Sequence, residues 1–458
     1  MNAMISQGAI RSRSLEPVVV CLGVLTAAAI FATGQVPFSP IVLSLAAIAF
    51  VVMLARPELG VALVPVVATV VPQAIGTGTE SRIPAALLVG ALLPGVWIAR
   101  ALLARHFVVV KSPINAPVFT LMVVWLMAYL FSNASRPPLV VPWDSFWKAQ
   151  LGGLGVFLVS AALLLLALNT GREIRYIRIA TWSLIGVGIV GIAAYYLHQT
   201  GLIWFMAING LYAMWVVALA YGQALYNRDL PSWARLGLLV LVAGLLYKGL
   251  IREVVWFSGW IPLLVVIAVI TFFHSRRAVV ILAAVLAAAI PLKYSQFSST
   301  VWGLAVGKGD LSRLDIWQQQ AQLIQQYPIL GTGPAGYAVY NMSLFANSPF
   351  AMSTHSNYLD VIDQTGVIGS LVFIWFLIVL FILGWRASRR WRSGFLGGYA
   401  NGAFGGLCGV VVAMALGDWF IPFVYNQTIY GFRWTVHSWI YLGFLASLAA
   451  LRSTSEVA

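Results

Sequence analysis

Residues 366–384 read GVIGSLVFIWFLIVLFILG, a stretch without a single charge that as a helix is long enough to cross a hydrocarbon layer roughly 30 Å thick. It does not stand alone. Apolar runs of similar length are expected near 17–33, 40–55, 60–76, 83–99, 116–132, 151–168, 179–197, 203–225, 235–250, 255–272, 278–292, 366–384, 396–417 and 433–451. That makes about fourteen spans, within a range of 12–14, in an all-α polytopic membrane protein. Runs of alternating strands are absent, which excludes a barrel. Composition agrees: 61% of the 458 residues are hydrophobic, 9% are charged, and the mean hydropathy is +0.91.

Loop charge gives the orientation. With Met1 on the cytoplasmic side, 18 of the 27 Lys and Arg residues fall on that side, and eight of the 13 acids fall on the other. The formal net charge of +14 is thus a topology signal. The basic residues sit in short loops beside spans and form no groove with interleaved aromatics, so nucleic acid is not an expected partner. Both termini are expected to be cytoplasmic. The first span follows Arg11 and Arg13 and reads as an uncleaved anchor. Cys21 and Cys408 both lie inside spans, leaving no disulfide framework and no cysteine metal cluster.

No linker, low-complexity segment or internal repeat divides the chain, so 1–458 reads as a single membrane domain. The glycines at 398, 402, 405, 406 and 409 have the small-xxx-small spacing that lets helix backbones approach closely. Tryptophans crowd the external loops, and an interfacial belt accounts for most of them.

One long polar segment interrupts the apolar runs, from 293 to 365, and falls on the external face. Ser312 and Asp315 have the form of a capping box, and Leu314, Trp317, Ala321 and Ile324 recur at helical spacing. An amphipathic helix over 313–327 follows, ended by Tyr327-Pro328. Arg313 then stands in the first turn, where a guanidinium and free backbone amides suit an anion such as phosphate. The alternative is an ion pair with Asp310 or Asp315. Gly331-Thr332-Gly333-Pro334-Ala335-Gly336 lacks a following lysine and a preceding strand, so it reads as a turn and not as a phosphate loop. Thr354 can cap a second helix running to Gln364 and stopping at Gly366, with His355, Tyr358, Leu359 and Ile362 on one face. His355 either serves structure or takes a proton from a hydroxyl. Arg252, at the outer mouth of a span, either pairs with Glu253 or meets a second phosphate.

The order of these parts is an Arg at a span mouth, Ser-Arg-x-x-x-Trp, Tyr-Pro-x-x-Gly-x-Gly, His-Ser-Asn-Tyr-Leu and a Gly-Val-Ile-Gly span start. It resembles the O-antigen ligase and polymerase superfamily of bacterial envelope biogenesis, with the clear match at about 312–383. The resemblance implies a multi-pass protein of the bacterial inner membrane with a periplasmic active site. It also implies a glycosyltransferase that uses no metal or cofactor. The donor would be an undecaprenyl-diphosphate-linked oligosaccharide, and the acceptor a hydroxyl on a glycan or lipid. By the same resemblance His355, Arg313 and Arg252 are the catalytic residues, with Arg252, Arg313, Asn357 and Tyr358 contacting substrate. A polysaccharide or O-antigen polymerase is placed ahead of a ligase because the external loop is rather neutral. The alternative from another class is a flippase or exporter of the same lipid-linked glycan; span interiors poor in ionisable groups weigh against it.

Overall fold

The computed structural model describes residues 51–79, 81–105, 109–199, 211–253, 256–281, 313–345 and 353–451, with positions 49, 283, 284 and 298 besides. Apart from Ala49, all of these belong to one compact unit, Phe50–Ala458. The expected spans at 17–33, most of 40–55 and of 278–292, and the start of 203–225 lie outside the described residues, as do Asp310 and Ser312.

The apolar runs become helices. In chain order these are α1 (Pro57–Val70), α2 (Ala85–Leu103), α3 (Asn115–Ala134), α4 (Phe146–Thr170), α5 (Ile174–Tyr196), α6 (Tyr212–Tyr226) and α7 (Ser232–Tyr247). They continue with α8 (Phe257–His274), α9 (Arg313–Gln326), α10 (Gly336–Leu344), α11 (Asn357–Arg390), α12 (Gly394–Leu416) and α13 (Phe432–Ala450). Eight helices among the described residues are long and apolar enough to cross a membrane: α2 to α5, α7 with its extension to Arg252, α8, α11 and α12. The protein is a multi-pass membrane protein; a total of fourteen spans is not established by these eight.

The run expected at 60–76 is corrected. Its helix stops at Val70 because Pro72 disfavours helical backbone at Val71, and Ala74–Gly76 instead pairs antiparallel with Arg82–Pro84. At 14 residues α1 is too short to span by itself. It is held from the side. The buried guanidinium of Arg433 in α13 donates to the carbonyls of Ala68 (2.7 Å) and Thr69 (3.1 Å), satisfying orphan groups at the α1 C-terminus. His437, one turn further on, meets the Thr69 hydroxyl through Nε2 at 3.0 Å, which gives that histidine a structural task.

The most buried layer is formed by α4, α6, α12 and α13. The α12 glycines lie there as their spacing suggested. A Cβ on Gly402 would come within 2.5 Å of the Ala218 carbonyl oxygen, and one on Gly222 within 2.3 Å of the Gly398 carbonyl oxygen, so α6 and α12 cross nearly backbone to backbone. Gly406 makes room for the Trp215 ring in the same crossing.

Candidate active site

Helix α9 covers the expected residues, ending one before Tyr327, but its inward face is corrected: Leu314, Trp317 and Ala321, read as the apolar stripe, are exposed. Its buried stripe, Ile316, Gln320 and Leu323, packs inward. Four residues after Arg313, and so on the same side of the helix, the Trp317 indole donates to the Thr354 carbonyl at 2.9 Å. That bond fixes the start of α9 against the segment carrying His355.

Thr354 is fully buried and braces the next turn: its hydroxyl accepts from the Ser356 amide at 3.0 Å and donates to Asp360 Oδ1 at 2.7 Å. Helix α11 starts at Asn357, two residues later than the expected capping at Thr354 implied, because residues 354–356 form a turn held by these bonds. Inside that turn His355 has φ +53°, the left-handed region that a non-glycine residue enters only when its surroundings enforce it. Its amide donates to Ser353 Oγ at 3.0 Å. The imidazole has no hydrogen-bond partner among the described residues. The same Asp360 oxygen accepts from the Tyr337 hydroxyl at 2.7 Å, and Tyr337 stacks on Phe423 with centroids 4.3 Å apart.

Helix α11 breaks at Gly366 (φ 65°, ψ −166°), the predicted stop, and continues beyond as the long apolar span. The glycine turn caps the break. Thr332 N donates to Asp363 O at 2.8 Å, Gly333 N to Gln364 O at 3.0 Å and Ala335 N to Gln364 Oε1 at 2.8 Å. Its amides thus satisfy helix carbonyls and not a phosphate, as the turn reading requires. The turn leads into α10, which the sequence reading passed over; its residues are apolar and polar in no helical period.

The electrostatics join Arg313 to His355. Burial and the Arg313 charge push the His355 imidazole down to about 4, so it is neutral at physiological pH. Burial also lowers Arg313, and Asp418 opposes that shift. Asp310, one of the two acids that the sequence offers Arg313 as an ion-pair partner, lies outside the described residues. Asp418 follows the last turn of α12. It is buried, accepts from Asn426 Nδ2 (2.9 Å) and the Phe423 amide (3.2 Å), and is pushed up to about 6 by burial against the pull of those bonds and of Arg313.

The other expected site residues separate. Asn357 is fully buried and spent on structure: Oδ1 accepts from the Phe420 amide at 2.8 Å and Nδ2 donates to Ile421 O at 2.7 Å. Tyr358 keeps an exposed ring while its hydroxyl donates to Val411 O on α12 at 2.7 Å. Arg252 closes a π-helical turn, Lys248–Arg252, and is exposed. Glu253 pairs with Lys248 at 2.6 Å, so it does not neutralise Arg252. Two residues in this region meet across the fold: Trp256 packs edge-on to Trp419 at 5.8 Å, and Glu253, Trp256, Trp419 and Trp434 line a cavity of about 330 Å³. No hydrogen bond or ion pair joins Arg252 itself to Arg313 or His355; its charge acts on the Tyr196 hydroxyl.

Asp418 and Asp360 were missed by the sequence reading. A signal existed for the first, an acid in Gly417-Asp418-Trp419 directly after an uncharged glycine-rich span, in a chain with only 13 acids. Among the described residues no group of three or more His, Cys, Asp or Glu side chains could hold a metal ion. No curated protein matches the sequence. Residues 232–374, from the start of α7 through the kink in α11, match the family model described as O-antigen ligase, which over that stretch supports the O-antigen ligase and polymerase superfamily.

Proposed function

We propose that the protein is a membrane glycosyltransferase that moves an oligosaccharide from an undecaprenyl-diphosphate carrier to a hydroxyl acceptor on the periplasmic face of a bacterial inner membrane. The observation that carries this reading is a half-buried Arg313 whose charge acts on a neutral His355 with no imidazole hydrogen bond among the described residues, the start of α9 being tied to the His355 turn by the bond from Trp317 to Thr354.

The chemistry follows from their charges. The acceptor oxygen bonds to the anomeric carbon as the bond from that carbon to the diphosphate breaks. Negative charge grows on the leaving diphosphate, where the Arg313 guanidinium stabilises it without moving. The acceptor proton goes to His355, which can receive it only because it is uncharged. Arg313 is also one cause of the low His355 pKa, so a diphosphate that neutralises Arg313 makes His355 more basic when donor is bound. Asn357 acts by holding the 420–421 loop, and Arg252 serves the approaching diphosphate from the α7 mouth. Polymerisation is preferred over ligation on the neutrality of the external loop.

The test is purified protein with radiolabelled undecaprenyl-diphosphate oligosaccharide, followed for undecaprenyl diphosphate release and a growing glycan ladder. Arg313→Ala and His355→Ala should each abolish release. Wild-type turnover in both variants sinks the site, and carrier movement across vesicles with the diphosphate bond intact sinks the enzyme.

A further inference from the structure

A second cationic site lies far from Arg313. Beyond the kink, the helical run from Val367 to Arg390 rises roughly 36 Å, and α12 returns from there to Asp418. At this far end four chain segments leave a cavity of about 430 Å³, within the roughly 300–1,000 Å³ of small-molecule sites. Arg228 reaches it from the end of α6, His274 from the end of α8, Arg389 from the end of α11, and Arg392 and Ser393 from the turn into α12. The buried side chains of Ser388 and Asn401 complete the polar lining.

None of the three arginines has an ion pair among the described residues. Arg392 spends only Nε internally, on Arg389 O at 3.1 Å. The nearby carboxylate, Asp229, is not part of the lining; its Oδ2 stands 3.2 Å from where a Cβ on Gly394 would be, at the first residue of α12. A loop-charge bias places arginines on this face, but it does not require three of them, from three elements, to share one cavity. Like charges gathered this way repel, and an anion with several oxygens relieves the repulsion through paired N–H donors.

We infer that this cavity is a binding site for a phosphate-bearing anion. The surroundings favour an anionic phospholipid headgroup. Phe273, which lines the cavity, meets Trp385 edge-on at 5.2 Å, and Trp385, Phe272 and Phe381 present exposed apolar surface where acyl chains would lie. The site is independent of the glycosyl-transfer reading.

Native mass spectrometry of the purified full-length protein tests it, with dioleoylphosphatidylglycerol, dioleoylphosphatidylcholine and inorganic phosphate as separate titrants. Phosphatidylglycerol should bind more tightly than phosphatidylcholine. Replacing Arg228, Arg389 and Arg392 by Gln together should weaken it by on the order of a hundredfold, about fivefold per arginine, while Gln at Arg105, Arg172 and Arg175 should cost less than about twofold. Phosphate binding with the same arginine dependence, in the absence of a lipid preference, supports the site and assigns it to a soluble anion. Equal loss in both triple variants overturns it, as does a wild type that binds both lipids equally and no phosphate. If the triple variant is not monodisperse, Arg389→Gln and Arg392→Gln carry the test singly; weakening in neither overturns the site.

Discussion

The Trp317 indole and the Thr354 carbonyl, 2.9 Å apart, tie the helix that begins at Arg313 to the turn that carries His355. Two residues with no hydrogen bond to each other are thereby set in register. Trp317 sits four residues after Arg313, and Thr354 immediately precedes His355, so each end of this bond is rigidly connected to one member of the pair.

Trp317→Phe keeps the ring and removes the donor. The lost bond and the carbonyl left without it cost about 1–3 kcal/mol, and the looser placement of Arg313 should lower donor turnover by on the order of ten- to a hundredfold. The comparison to make is kcat against KM: kcat should carry most of the loss. An unchanged kcat would show that the bond does not position the pair.

His355 sets the acid limb of the pH profile. With its pKa held at about 4, below the ordinary 6.5, it stays neutral and able to accept a proton until the pH falls through about 4. The free-enzyme profile, kcat/KM, should therefore be flat near neutrality and fall only towards pH 4. Bound diphosphate offsets Arg313, so the acid limb of kcat should lie at higher pH than that of kcat/KM. In Arg313→Gln the His355 imidazole itself, followed by NMR titration, should move part of the way towards 6.5; coincident limbs in the wild type would contradict the coupling.

Asp418 has the opposite sign. Its carboxyl is raised from 3.8 to about 6, so the folded state prefers it protonated, and ionisation costs stability as pH rises through that window. Asp418→Asn removes this cost. The Tm of the variant relative to wild type should rise between pH 4 and pH 7, measured by thermal unfolding in detergent. Above pH 6 the variant should also have a lower KM for the anionic donor, because a negative neighbour of Arg313 is gone. A Tm difference that is flat across the window would place the carboxylate's charge in solvent.

Gly366→Ala should damage the fold more than the active-site changes do. Position 366 has φ 65°, and a Cβ there would come within 2.2 Å of the Ile329 carbonyl oxygen. Left-handed strain of roughly 1–3 kcal/mol adds to that clash. Reduced yield of monodisperse protein and a lower Tm are expected, with His355→Ala as the control that loses turnover and keeps Tm. An unaltered Tm for Gly366→Ala would mean that the break in α11 tolerates ordinary helix.

The sequence by itself determined that this is a multi-pass helical membrane protein, because uncharged runs of sufficient length leave the backbone no other way to satisfy its hydrogen bonds in lipid. It also determined the extent of α9, the glycine turn and the stop at Gly366, since helix-ending proline and glycine are local signals, but not which face of α9 is buried. Residues 71–76 show the limit of apolar runs: read as the end of one, they leave the helix at Pro72, and Ala74–Gly76 pairs as a strand. What only the tertiary structure decided is which candidate residues meet. Asn357 and Tyr358 looked equivalent beside His355, yet Asn357 is consumed by the 420–421 loop some sixty residues away, and Tyr358 shows its ring. Asp418 acts on the Arg313 charge from a still greater distance along the chain, and Glu253 takes Lys248 in place of its neighbour Arg252. Partner choice depends on distances set by helix packing, and no local pattern in the chain carries that information.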